Sequence, residues 1–481
     1  MNKIFITTAI PYVNAKPHIG FGLEVIQADA LARYYRDLQK KDVYFLTGSD
    51  ENSLKNVRAA EKAGEEVADF VNRHAAEFEK LKDVLDLSID GFIRTSTEKH
   101  IKGAQKIWSA CNPEDIYKKH YKGWYCVGCE AFYTEKEVPD KKCPEHKKEL
   151  ELIEEDNYFF KLSKYQNKLR DIIANDVIKI IPESRKNEIL AFIDSGLEDF
   201  SISRTKERAQ NWGVPVPGDP EQVMYVWFDA LGNYITALDY ANNGELYSKF
   251  WNNENSERIH MIGKGILRFH AVYWPAMLLS AGLKLPNQIF VHDYLTIEGE
   301  KMSKSLGNVI SPTELVDEFG TDAVRYYFLR EMPESGDGDY SRERMEARYS
   351  ELANKLGNLV SRVAAMSNKY FDGVLPKVDR SWEKTDKELA NLMKNYRFKK
   401  YTDTVFSLID RANEKIDKEE PFKTIKTDKG KAQETLAETA EIIRRVAQYL
   451  KPVMPNAANE ISERFNGEKI LKGDPLFPRR N

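Results

Sequence analysis

Two lysines flanking a serine, with glycine on either side, stand late in the chain: Gly299-Glu300-Lys301-Met302-Ser303-Lys304-Ser305-Leu306-Gly307. A mobile loop carrying two ammonium groups can close on a triphosphate and neutralise charge that grows in a transition state. Near the other terminus, Pro17-His18-Ile19-Gly20 precedes a helix-period pattern. A helix N-terminus offers unused N–H groups and the positive end of a dipole, and both attract an anion. Gly20 and Gly22 would let a nucleotide approach the backbone, and His18 has a ring N–H to give a phosphate oxygen. Each motif alone has a plainer reading, since His-x-Gly and paired lysines also occur in ordinary solvated loops. A third cluster is Cys126-Val127-Gly128-Cys129 and, thirteen residues on, Cys143-Pro144-Glu145-His146. Such C-x2-C and C-x2-H knuckles supply four ligands for tetrahedral Zn2+ in a closed structural site. Three of the chain's four cysteines lie here, which favours a metal over disulfides. Cys111 and His120 are alternative fourth ligands without the two-residue spacing, and three reduced buried cysteines are the plain alternative.

The elements that must position these groups follow from periodicity. Lys3–Thr8 reads as a short buried strand and Pro11–Pro17 as a loop. From Ile19 the apolar residues Leu23, Ile26, Ala30, Leu31 and Tyr34 recur at helical steps, and Lys41–Leu46 reads as a second strand. Strand, loop, helix, strand opens a doubly wound α/β domain. Residues 117–223 break that rhythm and read as an insertion. Val223–Phe228 and Ile259–Ile262 read as strands returning to the first sheet, with Gln288–His292 and Tyr294–Ile297 as further strands near Lys301. Beyond Ser341 the pattern is helical, as in Leu352, Leu356, Leu359, Val360 and Val363, and fits a helix bundle.

Composition sets the frame. With 481 residues, 42% of them apolar, the chain can bury a large core over several domains. The net charge of −4 says nothing about nucleic acid. From Glu346 onward, however, 27 Lys and Arg stand against 21 Asp and Glu. That surplus fits a polyanionic partner as well as an ordinary lysine-rich helical surface. The N-terminus is too short and too polar for a signal peptide, and no run of apolar residues has the length of a membrane span. A cytoplasmic protein is expected.

The lysine loop and His18-Ile19-Gly20 acquire specificity together. With them stand Ala9-Ile10-Pro11-Tyr12-Val13-Asn14, Gly123-Trp124-Tyr125-Cys126, Val226-Trp227-Phe228-Asp229-Ala230, Gly263-Lys264-Gly265-Ile266-Leu267-Arg268-Phe269-His270 and Tyr273-Trp274-Pro275-Ala276-Met277. In these stretches the chain resembles, nearly end to end, the methionyl-tRNA synthetases of the class I aminoacyl-tRNA synthetase family. The resemblance implies a Rossmann-like doubly wound parallel-sheet catalytic domain with an inserted zinc-knuckle connective domain, followed by an all-α anticodon-binding helix bundle. The expected divisions are 1–116 and 224–295 for the catalytic halves, 117–223 for the insertion, 296–347 for the lysine loop and stem-contact region, and 348–481 for the bundle.

The implied activity is methionine–tRNA ligation. L-methionine and ATP give methionyl-adenylate and pyrophosphate, and the methionyl group passes to the 3′-terminal adenosine of initiator and elongator tRNA(Met). By the same resemblance, His18, Lys301 and Lys304 are the catalytic contacts to the triphosphate, and His18, Gly20, Glu24, Lys301, Ser303 and Lys304 bind ATP, which Mg2+ accompanies. Ala9, Ile10, Tyr12, Trp227, Ala230, Leu231, Tyr234, Ile266 and His270 would wall the methionine pocket, with Asp50 facing its ammonium. Asn358, Arg362 and Tyr449 are candidates for anticodon contact, and Cys126, Cys129, Cys143 and His146 for one structural Zn2+. The chain ends shortly after the bundle, so a monomer is expected. Three positions depart from the family pattern. Phe21 stands for a second histidine, Asn52-Ser53 for His-Gly after the acidic pair, and Gly265 for an aspartate.

Overall fold

Ile4, Phe5 and Ile6 are buried in succession, as a strand covered on both faces must be. They lie in β1 (Lys3–Thr8), at the centre of a six-stranded sheet with β2 (Asp42–Ser49), β3 (Gly91–Arg94), β4 (Lys179–Ile181), β5 (Ser256–Gly263) and β6 (Gln288–His292). The order is β3-β2-β1-β5-β6-β4 and every neighbouring pair is parallel. Lys3 stands opposite Asp42 on one side and Ser256 on the other. The edge strand β4 comes from within the 117–223 segment. Gly48 in β2 is required by packing, because a Cβ there would lie 2.2 Å from the Ile93 carbonyl oxygen. The computed structural model describes every residue except Met1, Cys129, Glu130, Thr134, Lys136, Glu137, Glu145, His146, residues 303–306 and Asn481, and leaves out the side chains of Ala131 and Phe132.

The chain forms two compact units. The first comprises Met1–Pro17, Asp42–Lys80 and Ile89–His292, and the second His18–Lys41, Leu81–Ser88 and Asp293–Asn481. Besides the parallel sheet, the first unit holds a four-stranded antiparallel sheet in which Ile116–Cys126 pairs with Ala131–Tyr133 and Glu151–Phe160, and the latter with Phe200–Ser201. The expected strand over Val223–Phe228 is not formed. Asp219–Met224 pairs with Ser203–Thr205 in a separate small antiparallel sheet, and the chain then turns into the Val226–Leu231 helix. A short continuous apolar run carries no period, so a buried helical turn and a buried strand look alike in sequence. Ile259–Ile262 does return to the main sheet, within β5.

In the second unit, Leu295–Ile297 pairs with Glu300–Lys301 and with Gly338–Tyr340 in a small sheet of its own. The other described elements of this unit are helices. Phe398–Glu419 shows why: Phe398, Tyr401, Thr402, Val405, Leu408, Ile409, Ala412 and Ile416 are buried at three- and four-residue steps. Ser311 starts Pro312–Phe319 with a reciprocal capping box to Glu314. Among the described residues no helix is long and apolar enough to cross a membrane.

Candidate active site

In a doubly wound sheet, ligands bind beyond the carboxyl ends of the strands where the strand order reverses. Three of those ends carry expected pocket residues. Ala9 follows β1, Asp50 follows β2, and Ile266 lies in the turn after β5. Ala9 N–H donates to the Met261 carbonyl at 3.2 Å, and Ala9 and Ile10 pack on the main core. Tyr12 forms a bridge with Asp50, whose own N–H donates to the Pro11 carbonyl at 2.9 Å. Asp50 is buried, and Lys55 Nζ lies 5.2 Å from the centre of the Tyr12 ring.

The expected apolar walls come from two helical segments. Trp227, on Val226–Leu231, stacks on Phe269 with ring centres 3.8 Å apart and planes 2° from parallel. Its Nε1–H has no hydrogen-bond partner among the described residues. Ala230 and Leu231 are buried on the same helix. His270 sits in the wide helical turn Phe269–Tyr273, a π-type turn of the kind often found at functional sites. Its Nδ1 lies 2.9 Å from the Ile266 carbonyl, which can only accept, so Nδ1 carries the proton. Nε2 is then an acceptor and takes the Tyr234 O–H at 2.6 Å. Burial pushes the His270 imidazole down to about 4, which keeps it neutral at ordinary pH. Behind it, Tyr234 packs on His260 with ring centres 4.1 Å apart, and burial, then the neighbouring His270 and Arg258, hold His260 well below the usual imidazole range. Trp227, Tyr234 and Ile266 thus all meet His270, while Tyr12 and Asp50 meet each other.

The polar frame around Asp50 was not foreseen from sequence. The fully buried Glu51 carboxylate accepts from Ser49 Oγ at 2.7 Å, from Arg94 Nε at 2.7 Å and from Ser96 Oγ. Trp212 Nε1–H donates to the Glu51 carbonyl at 2.7 Å. Asn52, met in sequence only as a departure, donates to the Thr95 carbonyl at 2.9 Å and to Asp229 Oδ2 at 2.8 Å. One signal was available: His100 lies on the same apolar helix face as Gly103, Ala104 and Ile107, and a histidine there needs polar partners.

In the second unit the two opening motifs lie close together. Ile19 N–H donates to the Ile310 carbonyl at 3.0 Å, and a Cβ on Gly20 would lie 3.1 Å from Met302 Cε. Gly22 makes room for Pro312 rather than for a nucleotide, since a Cβ there would meet Pro312 Cγ at 3.2 Å. The expectation of unused amides at this helix end also fails. His18 is the N-cap of Ile19–Arg33, and its Nδ1 accepts the Gly20 N–H at 3.1 Å. Its carbonyl takes the Phe21 and Gly22 N–H groups at 3.0 and 3.1 Å. Capping of this kind satisfies the first turn from within the chain. It also places the ring proton on Nε2 of this exposed side chain. Glu24 is buried on the same helix. Lys301 is exposed, with Nζ 5.6 Å from the centre of the Tyr294 ring. Ser303 and Lys304 lie outside the described residues.

The remaining candidates are dispersed. Asn358 is exposed, and Arg362 pairs with Asp417 at 2.8 Å. Tyr449 is only 4% exposed, and its hydroxyl donates to Asp386 Oδ1 at 2.7 Å. Its ring is packed in the bundle rather than offered to a base, because the Arg445 guanidinium lies 4.8 Å from its centre and Trp382 meets its edge. Cys126 and Cys143 share a small apolar cluster with Tyr133, Val138 and Leu150. Backbone bonds from Cys143 N–H to the Lys148 carbonyl and from Lys147 N–H to the Cys143 carbonyl, both 2.8 Å, close a knuckle-like loop. Cys129 and His146 lie outside the described residues, and among the described ones no three metal-ligating side chains converge. Cys111 belongs to the main core, where burial pushes its thiol up to about 12, and His120 is exposed between Glu154 and Asp156. Neither joins Cys126 and Cys143.

Comparison with known proteins gives a consistent result. A family model described as tRNA synthetases class I (M) matches residues 4–151 and 146–364. A second, the anticodon binding domain of methionyl tRNA ligase, matches residues 378–472. The methionine–tRNA ligase of Brucella suis is 42% identical over 95% of this chain and 91% of its own length. That of Thermotoga maritima is 40% identical over 99% of this chain and 80% of its own. The Mycobacterium tuberculosis methionyl-tRNA synthetase solved in complex with methionyl-adenylate superposes with a TM-score of 0.91, at 37% identity and full coverage of both chains.

Proposed function

The chain belongs to the methionine-specific class I tRNA synthetases, and from that premise we propose how its residues divide the work of a methionine–tRNA ligase. The enzyme activates L-methionine with ATP to methionyl-adenylate, releases pyrophosphate, and passes the methionyl group to the 3′-terminal adenosine of tRNA. The substrate carboxylate is itself the nucleophile at the α-phosphorus, so the protein contributes position and charge rather than a covalent group.

In our reading, Asp50 pairs with the methionine ammonium. Tyr12, Trp227, Ala230, Leu231, Tyr234, Ile266 and His270, with Ala9 and Ile10, surround the thioether. Supporting this, the walls are apolar and aromatic, and the one histidine among them is held neutral, so nothing there demands a charge from the ligand. His18 gives its Nε2–H to a phosphate oxygen. Lys301 and Lys304 neutralise the triphosphate, which arrives with Mg2+, while Gly20, Glu24 and Ser303 shape the nucleotide site. The observation that carries the nucleotide half is the closeness of Gly20 to Met302, whose Cε would lie 3.1 Å from a Cβ at Gly20, with both motifs in one unit. Asn358 and Arg362 face the anticodon of tRNA(Met), initiator and elongator alike, from the bundle over 348–481.

Cys126, Cys129, Cys143 and His146 hold one Zn2+ in the insertion over 117–223. When bound it supplies no step of the reaction and ties two loops together. The buried pair Cys126 and Cys143 and the closed loop after Cys143 fit that role. The remaining divisions are 1–116 with 224–295 for the sheet domain and 296–347 for the lysine loop region. The enzyme works as a monomer in the cytoplasm. Methionine-dependent exchange of pyrophosphate into ATP, measured on zinc-replete protein, tests the whole reading. Robust exchange is expected, and its absence would overturn the assignment of an active ligase.

A further inference from the structure

A buried carboxylate is stable only when donors satisfy it. Asp229, fully buried on the Val226–Leu231 helix, has two among the described side chains. His100 Nε2–H donates to its Oδ1 at 2.5 Å, and the Asn52 amide donates to its Oδ2 at 2.8 Å. The other His100 nitrogen lies 2.8 Å from Thr236 Oγ1, in the short helix that also carries Tyr234. The second proton of the Asn52 amide goes to the Thr95 carbonyl at 2.9 Å, at the end of β3. Asn52 is two residues from Asp50, and Asp50 is itself fastened by its N–H to Pro11 and by its carbonyl to Asn56 Nδ2 at 2.9 Å. One amide therefore joins the loop that presents Asp50 to the helix that presents Trp227, Ala230 and Leu231.

We propose that Asn52, through Asp229 and His100, is a positioning residue that sets the spacing between the Asp50 carboxylate and the apolar walls, and so selects a ligand bearing both an ammonium and a thioether at that separation. The proposal rests on the reading of Asp50 as the ammonium partner. It also accounts for an asparagine in a loop where sequence alone marked only a departure. All three are assigned to act through Asp50 and the pocket walls rather than on the ligand itself. Asn52 is half-buried and so the one best suited to substitution.

The test uses the full chain and two ligands. L-methionine is compared with 4-(methylsulfanyl)butanoate, which keeps the thioether and carboxylate but has no ammonium. In pyrophosphate exchange, Asn52→Ala is expected to raise the methionine KM about tenfold, in line with loss of a hydrogen bond to a charged group. The ATP KM and the inhibition constant of the deaminated analogue should stay within about twofold, the precision of such assays, since neither depends on Asp50. Asn52→Asp keeps the shape but sets a second carboxylate against Asp229, and should raise the methionine KM further. It decides the matter if Asn52→Ala does not fold. Equal weakening of methionine and of the analogue would mean that Asn52 merely holds the pocket together, and would overturn the proposal. An unchanged methionine KM would overturn it as well. Asp50→Ala separates the two readings. If it leaves the methionine KM unmoved, the ammonium assignment falls and the clamp with it. If it raises that KM while both Asn52 variants do not, only the clamp falls.

Discussion

Asp29 and Arg325 meet at 2.7 Å with neither side chain exposed. Asp29 lies on Ile19–Arg33, the helix that begins at His18, and Arg325 on Thr321–Glu331. The guanidinium also donates to the carbonyls of Val453, Leu85 and Pro452, each at 3.0 Å. Asp29 accepts in addition from Arg33 at 2.8 Å and from the N–H and hydroxyl of Ser88 at 2.6 and 2.7 Å. One ion pair thus gathers four segments of the second unit.

Removing either partner should be costly. Arg325→Met leaves a buried carboxylate with fewer donors, and a loss of about 3–5 kcal/mol is expected by analogy with other broken buried pairs. Urea unfolding followed by tryptophan fluorescence and by circular dichroism reads it. A loss below about 1 kcal/mol would show that the pair is no stronger than a surface one. Burial alone would raise the Asp29 carboxyl, but Arg325, Arg33 and Ser88 together hold it below its ordinary value. A depressed carboxyl stabilises the fold above its unfolded pKa, and that contribution is lost as pH falls through the folded value. Asp29→Asn should accordingly be less stable at neutral pH and should lose less on acidification below about pH 4.

His270 gives the fold a second pH dependence of separate origin. Its folded value is about 4 against 6.5 for the free side chain. Between those values the unfolded chain binds a proton that the folded one refuses, so stability falls as pH drops from about 6.5 toward 4. The full effect is on the order of 3 kcal/mol. His270→Gln should flatten that part of the stability profile, and His260, shifted in the same direction, supplies what dependence remains. Chemical denaturation at pH 7 and pH 5 is the measurement. An equal drop in both proteins would exclude His270 as the source.

Tyr234→Phe probes the same pair from the other side. It removes the O–H that His270 Nε2 accepts and leaves a buried acceptor unmet, a penalty of about 1–3 kcal/mol. If the pair shapes the pocket, the methionine KM should rise by roughly tenfold or more, with the ATP KM unchanged. A change confined to melting temperature would limit the pair to a structural role.

How far these features could be read from sequence depended on whether they were local. β1 was legible because Ile4, Phe5 and Ile6 form an apolar run bounded by a loop, and the bundle because one face of each helix repeats at helical steps. Cys126 and His18 announced themselves by spacing and neighbours. The Val223–Phe228 run misled because continuous burial erases the period that separates strand from helix. The amides after His18 were expected to be unused because sequence shows a helix start but not which carbonyl, here Ile310, arrives to occupy it. Asn52, Asp229 and His100 stand far apart in the chain and meet only through tertiary packing. Their pairing was invisible, although each is an ordinary residue at its own position. Tyr449 illustrates the converse, since the position matched a stacking role while the fold turned its ring inward.

The cysteine knuckles make a prediction that activity is not needed to check. Protein prepared without chelator should carry close to one equivalent of zinc by elemental analysis. Cys126→Ala should lose most of it, because a tetrahedral site with three protein ligands is far weaker than one with four. Melting temperature should fall in parallel, and zinc should not restore it. Zinc well below one equivalent in the parent protein, with no change on Cys126→Ala, would leave Cys126 and Cys143 as packed thiols of the small cluster with Tyr133 and Val138.

The closeness of the two motifs predicts a graded effect at Gly20. A methyl group there would press on the His18 ring at 2.9 Å and on Met302 Cε at 3.1 Å. The ring is the side chain that caps the helix and presents Nε2, while Met302 precedes Ser303 and Lys304. Gly20→Ala should therefore disturb the triphosphate contacts without entering the amino-acid pocket. In pyrophosphate exchange, kcat is expected to fall about 10-fold to 100-fold, as it does when charge stabilisation is displaced by a fraction of an ångström. The methionine KM should stay near its parent value. Lys304→Ala, which removes one ammonium outright, should lower kcat by a further order of magnitude, about 100-fold to 1,000-fold in all. If the two motifs act on one triphosphate, combining the substitutions should cost less than the product of the single effects, because groups that act as a unit are not additive. Full multiplicativity in the double variant would mean that His18-Ile19-Gly20 and the Lys301 loop contribute independently.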